Sequence, residues 1–199
     1  MSESIYGDHK PELEKIMREL NDCISDIRNE MKAELGLDPV EHCLSRIKTE
    51  DSMREKCRRK GLPETTDSAL WKTYDAIGLR IVCAFVDDVY TIRNRLVSLP
   101  QIEVVDEKDY IRNVKPNGYR SCHLIIRIRG RYYAEIQLRT ISMDTWAVLE
   151  HHLKYKKQVD GNTELIIREL KRCADELEST DLSMQTIRDM ILDGSQSEK

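Results

Sequence analysis

The segment most suited to chemistry is a run of cations at residues 46–61, with seven basic side chains against three acidic ones. Arg46 and Lys48 alternate, so an extended segment would point them the same way. Ser52, Lys56 and either Arg59 or Lys60 are spaced to share one face of a helix. An extended segment that leads into a helix N-terminus is typical of a phosphate-binding site. The GxxxxGK[ST] pattern of a P-loop is missing, and a charge run also fits a solvated surface.

Two carboxylates are candidates for a metal site. Asp75 comes just before a predicted buried strand, where ligands of α/β proteins bind. Glu135, Gln137 and Arg139 alternate with apolar residues along a second predicted strand, so they share one face. If that face adjoins Asp75, the two carboxylates could hold Mg²⁺, which takes one or two carboxylates together with phosphate oxygens and water. The alternative for Asp75 is a structural ion pair, for example with Arg80.

A third cluster surrounds a turn signal at Pro116-Asn117-Gly118. This turn would hold Tyr119 and His123 near the start of a strand, with Lys108 and Lys115 on the approach. An aromatic ring, an amide and several cations together suit a nucleobase and its phosphates. Taken alone, the segment also fits an ordinary surface turn.

The elements that must position these clusters alternate in type, which predicts an α/β fold. The terminal segments differ from the middle, because each predicts a long amphipathic helix. The predictions are a first helix with its stripe from Leu13 to Leu35, a strand at Leu79–Phe85, a helix from an N-cap at Asp87 to Leu99, a short strand at Ile102–Val105, a hairpin of residues 123–129 and 131–138 joined at Gly130, a helix capped by Thr140 or Ser142, and a last helix with its stripe from Leu165 to Ile191.

The two terminal stripes fit either packing on the protein's own core or assembly of subunits. Gly36 and Pro39 should end the first helix. The last helix is expected to break near residues 179–181, and residues 194–199 are expected to be disordered.

Composition limits the class of protein. The chain has 199 residues, which fits one domain with helical extensions. Its net charge of −4 hides a middle of +6 at residues 46–160 between two acidic ends, and a basic centre suits an anionic ligand. Overall acidity argues against a general nucleic-acid coat. The six cysteines are scattered, so reduced thiols are expected. No membrane span or secretion signal is seen, so a cytoplasmic protein is expected.

Taken together and in this order, the clusters resemble the synthetase domain of the RelA/SpoT homologue family, over about residues 40–157. The segments that carry the resemblance are Arg46–Lys48 with Ser52 and Lys56, Asp75–Arg80, Lys108–Ile111, Asn117–Ser121 with His123, Glu135–Thr140, and Trp146–Lys156. The chain looks like a small alarmone synthetase, without the hydrolase and regulatory domains of the long members.

The resemblance implies a mixed β-sheet flanked by helices, similar to nucleotidyltransferases, with long N- and C-terminal helices. It implies transfer of the β,γ-pyrophosphate of ATP to the 3′-hydroxyl of GTP, GDP or GMP, which gives (p)ppGpp and AMP in the stringent response. Mg²⁺ is the implied cofactor, and a cytoplasmic homotetramer is the implied assembly. The implied divisions are an N-terminal helix at 1–39, a catalytic domain at 40–157 and a C-terminal helical segment at 158–199.

Roles carried over by motif divide the candidates into a donor site, an acceptor site and a catalytic pair. On the donor side, Arg46 would flank the adenine of ATP, and the residues expected at its phosphates are Lys48, Ser52 and Lys56, helped by Arg54 and Arg59. Asp75 would bind Mg²⁺, and Glu135 would complete the metal site or act as general base on the 3′-hydroxyl.

On the acceptor side, Tyr119 would stack on guanine and Asn117 would hydrogen-bond it. The residues expected to steady the acceptor phosphates are Lys108, Lys115 and His123, with Gln137 and Arg139 supporting the site. Two rivals stay open. One is a toxin-like relative that pyrophosphorylates tRNA or adenosine nucleotides, against which the acidic ends argue. The other is a catalytically dead nucleotide-binding regulator, against which the presence of both carboxylates argues.

Overall fold

Five strands and six α-helices make up residues 4–155 and 163–196, the part of the chain that this computed structural model describes. After a short 3₁₀ turn at Gly7–His9, the elements are α1 (Lys10–Leu35), β1 (Val40–Ile47), α2 (Glu50–Arg59), α3 (Thr66–Trp71), β2 (Ile77–Cys83), α4 (Val86–Val97), β3 (Ile102–Asp109), β4 (Cys122–Ile128), β5 (Tyr132–Thr140), α5 (Ile141–Tyr155) and α6 (Thr163–Gln196).

The strands form one mixed sheet in the order β1-β2-β5-β4-β3. The central pair, β2 and β5, is parallel, and every other neighbouring pair is antiparallel. The parallel register places Gly78 beside Glu135 and Arg80 beside Gln137. The predicted mixed sheet flanked by helices is therefore confirmed, and its centre holds two of the segments singled out in the sequence.

The two faces of the sheet have different partners, because side chains alternate along each strand. On β5, Ala134, Ile136 and Leu138 are fully buried in the core, whereas the residues between them are only partly buried. The apolar stripe of α1 and the buried side of α4 pack into the same core. Each fully buried aliphatic side chain contributes about 1.5–3 kcal/mol. One face is thus committed to stability, and the polar residues share the other.

The predicted hairpin between β4 and β5 is confirmed. Three residues, 129–131, join the paired Ile128 and Tyr132. Arg129 and Gly130 both have positive φ, at 50° and 67°, and the Arg131 amide donates to the Ile128 carbonyl at 3.0 Å, which closes a tight turn. The cap of α5 is also as expected, since the Thr140 hydroxyl accepts a hydrogen bond from the Met143 amide at 3.2 Å.

Several boundaries differ from the sequence predictions. Strand β2 runs from Ile77 to Cys83 and not from Leu79 to Phe85, and helix α4 ends at Val97 and not at Leu99. Helix α4 is capped at Phe85 rather than Asp87, because the Asp88 carboxylate accepts the Phe85 amide at 3.1 Å. Strand β3 continues past Val105 to Asp109. Helix α6 runs unbroken through residues 179–181 and is helical to Gln196, so the expected disorder is wrong for 194–196; residues 197–199 lie outside the described part. The Thr180 hydroxyl donates to the Glu176 carbonyl of its own helix at 3.1 Å, so this polar side chain is satisfied within the helix.

All six cysteines are free thiols, as expected. None of the described helices has the length and apolar character needed to cross a membrane.

Gly118 lies where α6 presses on the loop between β3 and β4. Its φ is +90°, and a Cβ there would lie 2.6 Å from the Cβ of Ala174. Gly36 also has a positive φ, +71°, but nothing lies within 4 Å of the position of a Cβ. We expect Gly36→Ala to lower the free energy of unfolding by roughly 1–2 kcal/mol through backbone strain. Gly118→Ala should lower it by about a further 1–3 kcal/mol because of the clash.

Urea denaturation followed by circular dichroism, at one protein concentration, measures both variants. Equal losses in the two would contradict the close packing of α6 on this loop.

Candidate active site

Three adjoining clefts open on the polar side of the sheet, and Arg46 lines all of them. The α2 cleft, of about 420 Å³, lies against the first turns of α2. The α5 cleft, of about 410 Å³, lies between Arg46, Tyr119 and α5. The central cleft, of about 200 Å³, lies over β1, β2 and β5 and contains Glu135 and Gln137. Together they form a continuous polar groove across the middle of the sheet.

The α2 cleft collects the cations that the sequence placed on one side of a strand and a helix. Thr49 caps α2, since its hydroxyl accepts the Ser52 amide at 3.4 Å. Strand β1 supplies Arg46, the connection supplies Lys48, and one face of α2 supplies the remaining lining residues. The predicted donor-site residues that line this cleft are Arg46, Lys48, Ser52, Lys56 and Arg59. The geometry is a cationic cleft at a helix N-terminus.

Arg54 is the exception among the predicted donor-site residues. It lies two positions from Ser52 and so projects from the other side of the helix. Its guanidinium lies 3.7 Å from the Glu64 carboxylate and 4.0 Å from that of Glu50. The structure therefore does not bring Arg54 to the cleft, and it acts there as an ion-pair partner.

Asp75 is buried, and it pairs with two lysines that line the α2 cleft. Its Oδ2 receives the ammonium of Lys48 at 2.5 Å and also the ammonium of Lys56. Its Oδ1 is buried and has no hydrogen-bond partner among the described residues. An unsatisfied buried carboxylate oxygen is costly, so a cation bound to this atom would offset that cost. Asp75 is thus in an ion pair, as the alternative to a metal site predicts, but its partners are Lys48 and Lys56. Arg80 lies 3.4 Å from Asp144 instead.

The backbone before Asp75 has an uncommon conformation. Tyr74 has a positive φ of 66°, which few residues other than glycine adopt. Its ring lies 4.5 Å from that of Tyr133, two positions before Glu135 on β5. The Lys48 amide donates to the Ala76 carbonyl at 2.9 Å on the other side of Asp75. Asp75 is therefore held from both neighbouring strands.

Glu135 faces the central cleft beside Gly78, whose missing side chain leaves space above the strand. The ring of His123 lies 3.3 Å from its carboxylate. This hydrogen bond lowers the pKa of Glu135 to about 2 against the opposing effect of burial, and the charge of Lys56 also favours ionisation. Both carboxylates are thus influenced by one lysine, and Glu135 is ionised at any physiological pH.

The predicted acceptor residues assemble around Tyr119. Its hydroxyl lies 2.6 Å from Nε2 of His123 and accepts a hydrogen bond from Arg139 at 2.8 Å. The ammonium of Lys115 lies 4.9 Å from the Tyr119 ring and 4.2 Å from that of Tyr110. A cation is attracted electrostatically to the face of an aromatic ring, so Lys115 and these two rings stabilise their arrangement. We call this set of five side chains the Tyr119 cluster.

Asn117 and Gln137 support the Tyr119 cluster, and Lys108 lies at its edge. The side-chain carbonyl of Asn117 accepts the Tyr119 amide at 3.2 Å, and its amide donates to Glu150 at 3.2 Å. Gln137 accepts a hydrogen bond from Arg139 at 3.0 Å. Lys108 is opposite His123 in the sheet but is exposed and bridges Asp106 at 3.1 Å.

Three site residues were given no role from the sequence. Arg80 lines both the α5 and central clefts, and Asp144 joins it to Arg139, whose guanidinium is 3.0 Å away. His151 lines the α5 and α2 clefts. Asp144 and His151 lie seven residues apart, two turns of one helix, and that spacing was the signal that could have revealed a polar face on α5.

No group of three or more His, Cys, Asp or Glu side chains in the described part is arranged to hold a metal by itself. A cation between Asp75 and Glu135 would therefore need other ligands, such as phosphate oxygens.

The sequence of residues 45–160 matches the family model described as the region found in RelA / SpoT proteins. The chain belongs to the RelA/SpoT family. It is 44% identical over 147 residues to the GTP pyrophosphokinase YwaC of Bacillus subtilis (strain 168), a match that covers 70% of each chain. It is 35% identical over 180 residues to the GTP pyrophosphokinase YjbM of the same strain, covering 86% of this chain and 83% of YjbM.

Among solved structures, the fold is similar to that of small alarmone synthetase 1 from Bacillus subtilis bound to its product pppGpp. The TM-score is 0.75 at 33% sequence identity, and the match covers 90% of this chain and 94% of that one. Coverage this wide takes in the long terminal helices as well as the sheet. The predicted family and nucleotidyltransferase-like fold are confirmed.

The hydrogen bond between His123 and Glu135 allows a prediction about the ionisation of Glu135 in this RelA/SpoT protein. His123→Ala removes the hydrogen bond that lowers the pKa of Glu135, so that pKa should rise from about 2 toward its usual range. Carbon-13 NMR of the Glu135 carboxyl during a pH titration measures it. Arg127→Ala is the control, because Arg127 lies on the same strand but pairs with Glu103.

The pH dependence of the free energy of unfolding should also reflect the lowered pKa of Glu135. Because its pKa is lowered by folding, ionised Glu135 contributes stability above the unfolded pKa of about 4.3, and this is lost as the pH falls toward 2. The wild type should lose more stability over that window than His123→Ala. Identical acid profiles would contradict the assignment.

Proposed function

We propose that this chain is a GTP pyrophosphokinase that transfers the β,γ-pyrophosphate of ATP to the 3′-hydroxyl of GTP, GDP or GMP, giving a (p)ppGpp-type alarmone and AMP. The relatives named above carry this activity in their names. One observation carries the proposal. Lys56, which lines the α2 cleft, pairs with Asp75, and its charge also acts on Glu135, which contacts the Tyr119 cluster through His123. Two phosphate-bearing ligands could approach this carboxylate pair from opposite sides.

On the donor side, the α2 cleft suits a triphosphate. Lys48 and Lys56 lie at its floor, Ser52 and Arg59 lie along α2, and the first amides of α2 add their partial positive charge. Arg46 continues from this cleft into the groove that Arg80 also lines. Guanidinium groups stack well on flat aromatic rings, so these two arginines suit the adenine.

On the acceptor side, the Tyr119 cluster suits a guanine nucleotide. The Tyr119 ring offers a stacking surface, and Asn117 offers an amide beside it. Lys115 and His123 lie where acceptor phosphates would be steadied, with Lys108 at the outer edge. Guanine stacked here places its ribose toward Glu135.

The residues at the centre fit a divalent cation. The free, buried Oδ1 of Asp75 and the ionised carboxylate of Glu135 are oxygen donors of the kind that Mg²⁺ prefers. These two carboxylates would hold Mg²⁺, and ATP phosphate oxygens would supply further ligands. When bound, it would neutralise charge on the β- and γ-phosphate oxygens.

The reaction forms a bond between the acceptor 3′-oxygen and the β-phosphorus of ATP and breaks the bond from that phosphorus to the bridging oxygen, which leaves on AMP. The proton of the 3′-hydroxyl passes to solvent. Phosphoryl-type transfer depends mainly on positioning and on electrostatic stabilisation. Lys48 and Lys56 hold the pyrophosphate, and the Tyr119 cluster aims the hydroxyl. A general base works best with a pKa near the working pH. The pKa of Glu135, about 2, therefore favours metal binding over proton abstraction.

The rival acceptor, tRNA, needs a broad basic surface beyond the acceptor site. The cations on β3, β4 and the neighbouring α4 are neutralised instead. Each has a carboxylate within ion-pair distance: Arg93 with Glu107, Lys108 with Asp106, Arg112 with Asp109, and Arg127 with Glu103. This surface favours a free nucleotide over a nucleic acid.

Incubation of the purified protein with ATP, Mg²⁺ and GMP, GDP or GTP, followed by anion-exchange chromatography, tests the function. We expect a more acidic guanosine nucleotide and an equal amount of AMP, and no product when Mg²⁺ is chelated. Labelled tRNA and adenosine nucleotides form the other arms. Product only in those arms would support the rival, and ATP binding without AMP release would support an inactive regulator.

Glu135→Gln should keep the fold and lower turnover by about 10²-fold or more, because it removes a charged group that would hold Mg²⁺ near the reacting atoms. As a metal ligand, Glu135 also sets the Mg²⁺ concentration needed for half-maximal rate, which should rise in the variant. Glu103→Gln is the control, since Glu103 is exposed on the edge strand β3 and pairs with Arg127. Unchanged turnover in Glu135→Gln would remove the role given to this residue.

We also propose a cytoplasmic homotetramer assembled through the C-terminal helices. The apolar stripe of α1 is buried in the protein's own core, so its role is internal packing. The apolar residues of α5 and α6 are largely exposed, including Leu149, Leu153, Met190 and Ile191. Exposed apolar faces of this size are typical of assembly surfaces. Six free cysteines suit a reducing compartment.

Light scattering at micromolar concentration measures the assembly. The double change Ile187→Glu with Met190→Glu puts charges on the exposed side of α6 and should lower the mass. Val105→Glu, an equally apolar and exposed position on β3, should leave it unchanged. A wild-type protein with the mass of a monomer in this measurement would contradict the proposed tetramer.

A further inference from the structure

A buried arginine joins the loop between β3 and β4 to the C-terminal helix. Arg120 is 7% exposed, and its Nη2 lies 3.0 Å from Asp175 and 2.5 Å from Glu178, both on α6. Its Nη1 donates to the Gly118 carbonyl at 3.2 Å. One guanidinium thus fastens the backbone of this loop to two carboxylates one turn apart on a helix.

Arg120 comes directly after Tyr119, and the two side chains serve opposite sides of the loop. Tyr119 projects toward His123 and Arg139, whereas Arg120 projects toward α6. Because the two residues are consecutive, the contacts of Arg120 help to fix the backbone from which the Tyr119 side chain projects. The arginine Nε is buried without a hydrogen-bond partner in the described part of the chain, so the group depends on its two carboxylates to offset the loss of hydration.

Two further contacts show that α6 fits this region closely. The absent side chain of Gly118 lets Ala174 approach, since a Cβ at 118 would lie 2.6 Å from that of Ala174. The Trp146 indole donates to the Leu170 carbonyl at 2.9 Å and so ties α5 to the same stretch of helix. These contacts all involve the acceptor half of the site, and none involves α2.

We propose that Arg120 is a positioning residue for the acceptor nucleotide. It holds Tyr119 and Asn117 in place by anchoring their loop to α6, so that acceptor affinity depends on α6 and donor affinity does not. The inference rests on the proposed function for the identity of the acceptor. It predicts a split between the two substrates that a general loss of stability would not give.

The test compares equilibrium binding of GDP and of ATP, by calorimetry, with steady-state kinetics for the same protein. Arg120→Gln should weaken GDP binding and raise the GDP KM by about tenfold, the usual effect of losing a charge-assisted contact. ATP binding should change less than about twofold. Arg120→Lys keeps the charge but lacks the two-pronged donor, so it should restore part of the loss.

Arg188 supplies a matched control at the other end of α6. It is also mostly buried and ties the helix to the body of the protein, 3.3 Å from Asp87, far along the helix from Arg120. Arg188→Gln should leave both affinities unchanged. Glu178→Gln approaches the same contact from the partly exposed helix side and replaces Arg120→Gln if that variant does not fold.

Equal weakening of GDP and ATP binding, or unchanged GDP binding in both Arg120→Gln and Glu178→Gln, would overturn the proposal. The binding arm separates this result from the fate of the proposed function. A wild type that forms no product but shows the GDP-specific loss on mutation would refute the reaction and keep the role of Arg120.

Discussion

The carboxylate of Asp75 is the interaction on which the arrangement of the site depends. A nearly buried carboxylate must be paired, and here it draws Lys48, just after β1, and Lys56, on α2, to one point at the start of β2. Three separate segments are fixed in this way. The two lysines proposed to hold the donor phosphates are thus ordered by an internal anion, and their positions do not have to be created by the substrate.

The parallel pairing of β2 and β5 turns that local arrangement into a two-sided site. Asp75 enters β2 from one end, and the register sets Glu135 beside Gly78 one step further along the sheet. Because side chains alternate along β5, Ala134 and Ile136 lie in the core, whereas Glu135 and Gln137 lie in the groove. The same strand therefore supports both the stability of the fold and the chemistry, which is why a charge can stand so near a fully buried core.

Residue spacing within single helices and strands predicted most features of the site. The features that it missed depend on contacts between residues far apart in the sequence. The shared face of Ser52, Lys56 and Arg59 follows from helical spacing alone, and the same spacing, applied to Arg54, would have excluded it from the cleft. The partners of Asn117, Arg80 and Arg120 lie 33, 64 and at least 55 residues away in sequence, on α5 and α6. Those helices carry many similar charges, so sequence spacing cannot select the one that docks.

The charge distribution explains how an acidic chain can bind two polyphosphates. Its cations near the sheet edge are neutralised by neighbouring carboxylates. In the part of the chain that the structure describes, Glu55 is the one carboxylate that lines the α2 cleft, and the two lysines there share Asp75. Long-range attraction is then weak, since a chain with a net charge of −4 does not draw anions from a distance. Affinity must arise at close range, where Lys48 and Lys56 exchange one anionic partner for another. A nucleotide whose charge is partly neutralised by Mg²⁺ suits such a site better than the free polyanion, because it loses less hydration on entry.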